Sequence, residues 1–293
     1  MSGFRSGLVA LAGRPNVGKS SIANALSGRH LAGVSPRPQT TRRRISAVVD
    51  GEDWQAVLLD LPGFQRSVDR MTARMQQTVD ASLEDCDAAL FVVSAAEPIG
   101  GGDRFIAERL RATGRPVIVV VNKVDRATPA RIAEHLVAAT GLVAFEAAHP
   151  VSAATGAGVD ALREDLPSLL REGPRLFPAG IVTDQSEGEL AAELIRESAL
   201  ARLREELPHA LAVAIDDIGP AREGVVIRAD LLVEHQSQKG IVIGKRGAML
   251  RDIGASARAA LTAAFGTPVH LDLHVRVRAH WRDDDSMLER LGL

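Results

Sequence analysis

The sequence lacks several features that whole classes of protein require. Among 293 residues there is one cysteine, Cys86, and no tyrosine. One thiol excludes an internal disulfide and a cysteine-based zinc site, so we expect a reducing, cytoplasmic compartment and a buried, unreactive Cys86. An apolar run of about 18 residues, which a membrane-spanning helix needs, is also missing. With 3% aromatic residues, a nucleic-acid site cannot depend mainly on aromatic stacking.

The chain also lacks a large excess of charge of either sign. The formal net charge is −2, so any nucleic-acid surface must be local rather than global. Arginine supplies most of the positive charge, and the few lysines all lie in motifs described below: Lys19, Lys123, Lys239 and Lys245. The N-terminal apolar run Leu8–Ala12 is too short for the core of a signal peptide.

The first part of the chain alternates short apolar runs with helical patterns. The runs are typical of strands buried on both faces, and they occupy Gly7–Ala12, Ala56–Leu59, Ala88–Val93, Pro116–Val121 and Ala144–Val151. Between them the spacing predicts helices over Lys19–Leu26, Asp69–Glu84, Asp103–Thr113, Thr128–Ala139 and Gly158–Leu170. The alternation predicts an α/β domain over residues 1–171, with a mostly parallel sheet and helices on both faces.

The remaining residues show a different order. Residues 172–188 are rich in glycine and proline and are interpreted as a linker. Residues 189–293 then predict a smaller α+β domain with the order α-β-β-α-α-β. Its segments are Glu189–Glu206, Leu211–Asp216, Gly224–Glu234, the helical stretch Lys239–Phe265, and Val269–Val277.

A phosphate-binding loop follows the first predicted strand. Residues 13–20 fit G-x-x-x-x-G-K-[ST], placed between a strand and a helix as that motif requires. Its glycines let backbone N–H groups approach phosphates at a helix N-terminus, Lys19 adds a point charge, and Ser20 offers a hydroxyl to Mg²⁺. The candidate nucleotide-binding residues here are Gly13, Arg14, Pro15, Asn16, Val17, Gly18, Lys19, Ser20 and Ser21.

An acidic residue ends the second apolar run. At that edge of a parallel sheet, Asp60 can hold the metal, and the backbone N–H of Gly63 can meet a γ-phosphate. The candidates in this D-x-x-G segment are Asp60, Leu61, Pro62 and Gly63. A threonine from the polar loop Pro38–Arg42 can close on Mg²⁺; Thr40 and Thr41 are both candidates, and Thr41 is slightly favoured.

A base-reading motif follows the strand Pro116–Val121. Guanine presents two adjacent donors that one carboxylate, Asp125, can accept, and adenine presents no such pair. The motif therefore favours GTP and GDP over ATP. The candidates are Asn122, Lys123 and Asp125, with backbone contacts to the guanine oxygen from Ser152, Ala153 and Ala154.

These motifs in this order resemble the Era family of bacterial ribosome-assembly GTPases. The shared segments read GRPNVGKSS, QTTRRR, DLPGF, NKVD and SAA. One departure is Leu61, where the family commonly has threonine. The resemblance implies slow hydrolysis of GTP to GDP and phosphate, with Mg²⁺ held by Ser20, Thr41 and Asp60.

The position that carries a water-orienting glutamine in Ras-like switches is Phe64, which cannot orient water. The resemblance implies that Asn16 helps to bind a potassium ion as a substitute activating group. The expected catalytic set is then Lys19, Asn16, Thr41 and Gly63.

A second candidate site lies in the C-terminal part. Gly244–Gly247 reads G-K-R-G between two helical segments, as in the loop with which KH domains clamp single-stranded nucleic acid. The element order is that of a type II KH domain. Bases would occupy an apolar groove between Ile241, Ile243 and strand Gly224–Glu234. The candidate RNA-binding residues are Gly240, Ile241, Ile243, Gly244, Lys245, Arg246 and Gly247.

The resemblance extends through the C-terminal segments VEHQSQKGIVIGKRGAML and HVRVRAHWRDDD. It implies that the partners are single-stranded 16S ribosomal RNA near its 3′ end and the small (30S) ribosomal subunit, whose assembly the protein would serve. It also implies a monomer in the cytoplasm with peripheral association with the inner membrane.

Two other functions are compatible with parts of the sequence. One is a signalling switch that binds protein effectors, and the other is an RNA-binding module with a dead nucleotide site. Three further features favour ordinary structural roles: His270 and His274 lack companions for a metal site, the aspartates 283–285 are expected in a solvated loop, and Glu189–Glu206 is expected to pack on a core.

Overall fold

The structure is a computed structural model that describes residues 3–35, 40–64, 67–203 and 207–293. These residues form two compact units. The first contains most of the chain up to Asp184. The second begins at Gln185 and also includes the described residues of the segments Gly33–Thr40 and Ser67–Arg74. Pro38 and Gln39 of the predicted metal-closing loop, and Arg204–Glu206 of the predicted long helix, lie outside the described residues.

A sheet of seven strands organises the first unit. Its strands are β1 (Arg5–Ala12), β2 (Ile45–Asp50), β3 (Trp54–Asp60), β4 (Ala88–Ser94), β5 (Val117–Asn122), β6 (Ala147–Pro150) and β7 (Arg171–Glu172). The order is β2-β3-β1-β4-β5-β6, with β7 beside β1. The pairs from β3 to β6 are parallel, as predicted, whereas β2 and β7 pair antiparallel with β3 and β1.

Helices cover both faces of this sheet. They are α1 (Lys19–Ser27), α2 (Arg70–Asp85), α3 (Gly101–Thr113), α4 (Pro129–Thr140) and α5 (Val159–Asp165). Alternate residues of β1 show why the strands read as continuous apolar runs: Val9 and Leu11 enter one core, and Ala10 and Ala12 enter the other. Cys86 is buried in the second core, as expected.

Two elements differ from the predictions. Strand β2 is missing from them because its segment follows three arginines and contains Ser46, so that no separate apolar run stands out. The last predicted helix of the domain ends as an α-helix at Asp165 and continues as a 3₁₀ turn, Leu166–Leu169. Pro167 lies in that turn and has no N–H to continue an α-helix.

The segment after β7 is held against the first unit by a buried glutamine of β3. Gln55 is fully buried; its Oε1 accepts hydrogen bonds from the backbone N–H groups of Leu176 and Phe177, both at 2.8 Å, and its Nε2 donates to Phe177 O at 3.0 Å. Further on, Val48 N donates to Val182 O at 2.9 Å. Hydrogen bonds to the sheet therefore hold much of the predicted linker in place.

We expect Gln55→Leu to lower the free energy of unfolding by about 2 kcal/mol, because it removes three hydrogen bonds to partly buried backbone groups of Leu176 and Phe177. Equilibrium urea unfolding measures the loss, and trypsin should cleave faster after Arg175. The matched control is Gln77→Leu on the exposed side of α2, which should change the free energy by less than about 0.5 kcal/mol. Equal stability of the two variants would contradict the anchoring role.

The second unit confirms the α-β-β-α-α-β order and adds short helices to it. Its elements are α6 (Glu187–Leu200), α7 (Leu207–Ala210), β8 (Ala212–Pro220), β9 (Val225–Val233), α8 (Gln236–Ile243), α9 (Ala248–Phe265), β10 (Val269–Val277) and α10 (Asp285–Arg290). The sheet order is β10-β9-β8, with β10 parallel and β8 antiparallel to β9. Ser186 and Glu189 form a capping box at the start of α6. The core lies between this sheet and helices α6 and α9.

The acidic run near the C-terminus is largely exposed, as predicted, but it is not an unstructured loop: it joins a 3₁₀ turn to α10, and its side chains have partners. Asp283 accepts a hydrogen bond from the backbone N–H of Arg70 at 3.1 Å, and Asp284 caps α10. Asp285 pairs with Arg70 and, at 3.0 Å, with Arg74 of the same unit. The sequence did not predict these pairings because Arg70 and Arg74 lie more than 200 positions earlier in the chain.

No helix among the described residues is long and apolar enough to cross a membrane.

Candidate functional site: a nucleotide site and an RNA loop

Three hydroxyl and carboxylate side chains meet where β1 and β3 end. Ser20 Oγ lies 2.6 Å from Asp60 Oδ2 and 2.8 Å from Thr41 Oγ1, and Thr41 Oγ1 donates to Asp60 Oδ2 at 3.2 Å. Ser20 comes from the start of α1, Asp60 from the end of β3, and Thr41 from the segment before β2. The structure thus brings together the three residues predicted to hold a metal, with Thr41 as the threonine in contact.

The phosphate-binding loop is folded around the Lys19 ammonium. Lys19 Nζ donates to the backbone oxygens of Gly13 and Arg14 at 3.2 and 3.3 Å. Burial lowers the pKa of Lys19, and the Asp60 carboxylate acts in the opposite direction. At Gly18 the backbone has φ +101°, in the left-handed region that favours glycine, where a side chain would also collide with Asn122. The loop therefore presents backbone to a ligand.

Gly63 lies close to this loop. A Cβ at Gly63 would lie 2.8 Å from Pro15, so only glycine allows the approach. The next residue, Phe64, packs edge-to-face on Phe105 of α3, with ring centroids 6.1 Å apart. Its side chain thus has a packing role and offers no polar group to a water molecule.

The residues predicted to read the base form one hydrogen-bonded group. Asn122 Nδ2 donates to Val17 O at 2.9 Å, and its Oδ1 accepts from Ala153 N at 3.1 Å. Ser152 Oγ donates to Asp125 Oδ1 at 2.6 Å. Asn122 therefore ties the base motif to the phosphate loop, and the Ser152 hydroxyl orients the carboxylate. The sequence analysis predicted only a backbone contact of Ser152 with the guanine oxygen, and no role for its side chain.

Some predicted contacts can use only backbone atoms. The side chains of Val17 and Leu61 are buried in the two cores of the first unit. Leu61 is the departure from the family's threonine, and its side chain is 1% exposed among apolar neighbours. A leucine is accommodated here because this position faces the core.

Sequence reasoning missed the partners of Arg14. Its Nε donates to Asp103 Oδ1 at 2.8 Å, and its second terminal nitrogen lies 3.6 Å from Glu97 Oε2. Asp103 is fully buried and also caps α3. The capping position of Asp103 was a readable signal, but its pairing with Arg14, 89 positions away, was not.

The G-K-R-G loop has the backbone shape that its glycines suggest. Gly244 and Gly247 have φ +73° and +76°, and a Cβ on Gly244 would lie 2.7 Å from Met249 Cβ. Arg246 also adopts a positive φ, 54°. Lys245 and Arg246 are both exposed. The loop thus has two glycines without side chains and two exposed cationic side chains.

The groove beside this loop differs in one respect from the prediction. Ile241 is 54% exposed, and Ile243 is partly buried against the core. However, β9, the strand predicted to line the groove, is central and paired on both edges. The edge strands of this sheet are β10 and β8, so the backbone of β9 is already used in pairing, and only its side chains could line a groove.

Two other expectations concern histidines and metals. His270 and His274 lie on the exposed side of β10, and His274 is 3.3 Å from Asp272. Among the described residues, no group of three or more histidine, cysteine, aspartate or glutamate side chains could hold a metal ion.

Comparisons with known proteins agree with this geometry. Residues 8–123 match the family described as 50S ribosome-binding GTPase, and residues 206–282 match the KH domain family. The GTPase Era of Mycolicibacterium paratuberculosis is 45% identical over 298 residues, and that of Mycobacterium tuberculosis strain H37Rv is 45% identical over 300 residues; both matches cover all of both chains.

Solved structures agree over both units. A crystal structure of Era in complex with MgGDPNP and nucleotides 1506–1542 of 16S ribosomal RNA has a TM-score of 0.93 at 35% identity, covering 99% of each chain. A variant of Aquifex aeolicus Era bound to GDP·AlF₄⁻ has a TM-score of 0.92, again at 35% identity and 99% of each chain. The chain therefore belongs to the Era family of GTPases, with a P-loop GTPase domain followed by a KH domain.

Proposed function

We propose that this GTPase binds single-stranded RNA near the 3′ end of 16S ribosomal RNA and acts in the assembly of the small (30S) ribosomal subunit. The observation that carries the proposal is the G-K-R-G loop, whose strained backbone exposes Lys245 and Arg246 on a KH fold. Its likeness to Era in complex with that RNA supports the choice of RNA. The domains would be residues 1–171 and 189–293, joined by residues 172–188.

Binding to a short RNA with the 3′-end sequence of 16S ribosomal RNA tests this proposal, with a scrambled RNA of equal length as the control. We expect tighter binding of the 3′-end sequence, with a different affinity in GDP than in a non-hydrolysable GTP analogue. Equal affinity for both RNAs would overturn the ribosomal assignment. Absence of RNA binding would instead favour a switch that acts on protein effectors.

The nucleotide site would hold GTP with Mg²⁺. Ser20, Thr41 and Asp60 supply hard oxygen donors that lie within 3.2 Å of one another, the chemistry that Mg²⁺ prefers. When bound, Mg²⁺ neutralises phosphate charge. Lys19 would contact the terminal phosphates, and the backbone N–H of Gly63 would meet the γ-phosphate.

Hydrolysis should be faster in potassium than in sodium buffer, because Phe64 offers no polar group for the attacking water and Asn16 would help to hold a potassium ion. We expect turnover about tenfold higher in K⁺, comparable with a modest charge-stabilising group. Asn16→Gly should remove the difference, since glycine keeps the φ of +65° but lacks the amide. Equal turnover of the unmodified protein in K⁺ and Na⁺ would discard the ion.

On family membership alone, we also propose that the protein is a cytoplasmic monomer that associates peripherally with the inner membrane.

A further inference from the structure

A carboxylate outside the nucleotide motifs lies between two of them. Glu97 belongs to the loop that joins β4 and α3. Its Oε1 is 3.8 Å from Lys123 Nζ, and its Oε2 is 3.6 Å from a terminal nitrogen of Arg14. Arg14 belongs to the phosphate-binding loop and Lys123 to the base-reading motif. One side chain therefore faces a cation from each half of the nucleotide site.

The backbone of this loop is braced independently of the Glu97 side chain. His135 Nε2, from α4, lies 2.8 Å from the backbone oxygen of Glu97. The buried Asp103 of α3 accepts a hydrogen bond from Gly100 N at 2.8 Å. Arg14 donates to the backbone oxygen of Pro98 at 3.3 Å. These contacts hold the Glu97 carboxylate near its two partners.

The charges around Lys123 show what Glu97 contributes. Burial is the main cause that lowers the pKa of Lys123, and the nearby cations Arg126 and Arg14 lower it further. Two carboxylates raise this pKa: Glu97 has the larger effect and Asp125 the smaller. Without Glu97, the Lys123 ammonium would face two nearby cations with one carboxylate left. Lys123 also donates to the backbone oxygen of Asn16, so its position affects the phosphate loop.

We propose that Glu97 is a positioning residue for guanine-nucleotide binding, which holds Lys123 across the base site and links it through Arg14 to the phosphate-binding loop. This inference rests on the proposed contact of Lys123 with the base. Glu97 would act through Lys123 and Arg14 rather than on the base or the phosphates directly, so its effect should appear in affinity more than in the chemical step.

The test is Glu97→Gln, which keeps the shape of the side chain and removes its charge. We expect the Kd for GDP and the KM for GTP to rise about three- to fivefold, the scale of a partly exposed ion pair, with a smaller change in kcat. The loss should grow as the pH is raised above neutral, because removal of the Glu97 carboxylate lowers the pKa of the Lys123 ammonium further. Glu108→Gln, on the exposed side of α3, is the matched control.

Lys123→Met separates this inference from the proposed function. If Lys123→Met binds GDP as tightly as the unmodified protein, the proposed role of Lys123 fails. If that variant binds weakly but Glu97→Gln binds normally across the pH range, Glu97 has no positioning role. In the double variant, Glu97→Gln should cause no further loss, and a loss of equal size there would also overturn the inference.

Discussion

Asp125→Asn is expected to lower the affinity for GTP and GDP by about 100-fold or more, because the carboxylate predicted to accept two guanine N–H groups becomes an amide that offers a donor. Ser152 Oγ donates to Asp125 Oδ1 at 2.6 Å, so the amide should keep its oxygen there and turn Nδ2 toward the base. Xanthine nucleotides, which present an oxygen in place of the exocyclic amine, should gain affinity. Competition of unlabelled nucleotides against a fluorescent GDP analogue measures both changes.

A neighbouring substitution provides the control for this exchange of specificity. Arg126 lies 3.7 Å from Asp125 Oδ2 and is 69% exposed, so Arg126→Gln removes a nearby charge without touching the base-reading group. It should change GTP affinity by less than about threefold. Undiminished binding of GTP by Asp125→Asn would contradict the assignment of Asp125.

Replacing both Lys245 and Arg246 with aspartate should lower the affinity for single-stranded RNA by about 100-fold or more, because it puts two negative charges where the phosphates are predicted to lie. Aspartate tolerates the positive φ of Arg246, so the loop should keep its shape. The slope of log affinity against log salt should fall by about 0.7 for each lost phosphate contact. Fluorescence anisotropy over a series of salt concentrations measures affinity and slope together.

The control is a second double variant, which changes the net charge by the same amount at two other positions of the second unit. Arg222→Asp with Arg258→Glu alters two exposed arginines outside the G-K-R-G loop. This variant should bind RNA within a few-fold of the unmodified protein, and both variants should still bind GDP, since neither alters the nucleotide site. Similar loss of RNA affinity in the two variants would show that net charge rather than the loop determines binding.

The chemistry of the nucleotide site was readable from the sequence because its motifs are short and each lies beside an element with a strong pattern. Ser20 lies in the first turn of a helix that follows a strand, and Asp60 ends a strand, so both could be placed at one edge of a parallel sheet. The same reasoning could not decide whether Thr40 or Thr41 holds the metal, because the two are neighbours in an irregular loop and no strand or helix pattern distinguishes them. Their placement depends on how the chain approaches β2.

The sequence alone therefore determined the fold classes of the two domains and predicted a guanine-nucleotide site and a cationic loop for RNA, because local residue order encodes each of these patterns. The tertiary structure decided the pairings that cross the chain: Arg14 with Asp103, 89 positions apart, and Gln55 with Phe177, 122 positions apart. It also decided that Glu97 faces Lys123. Such pairs leave no local pattern in the sequence, because the residues around a charged or amide side chain do not show whether its partner is a distant residue or water.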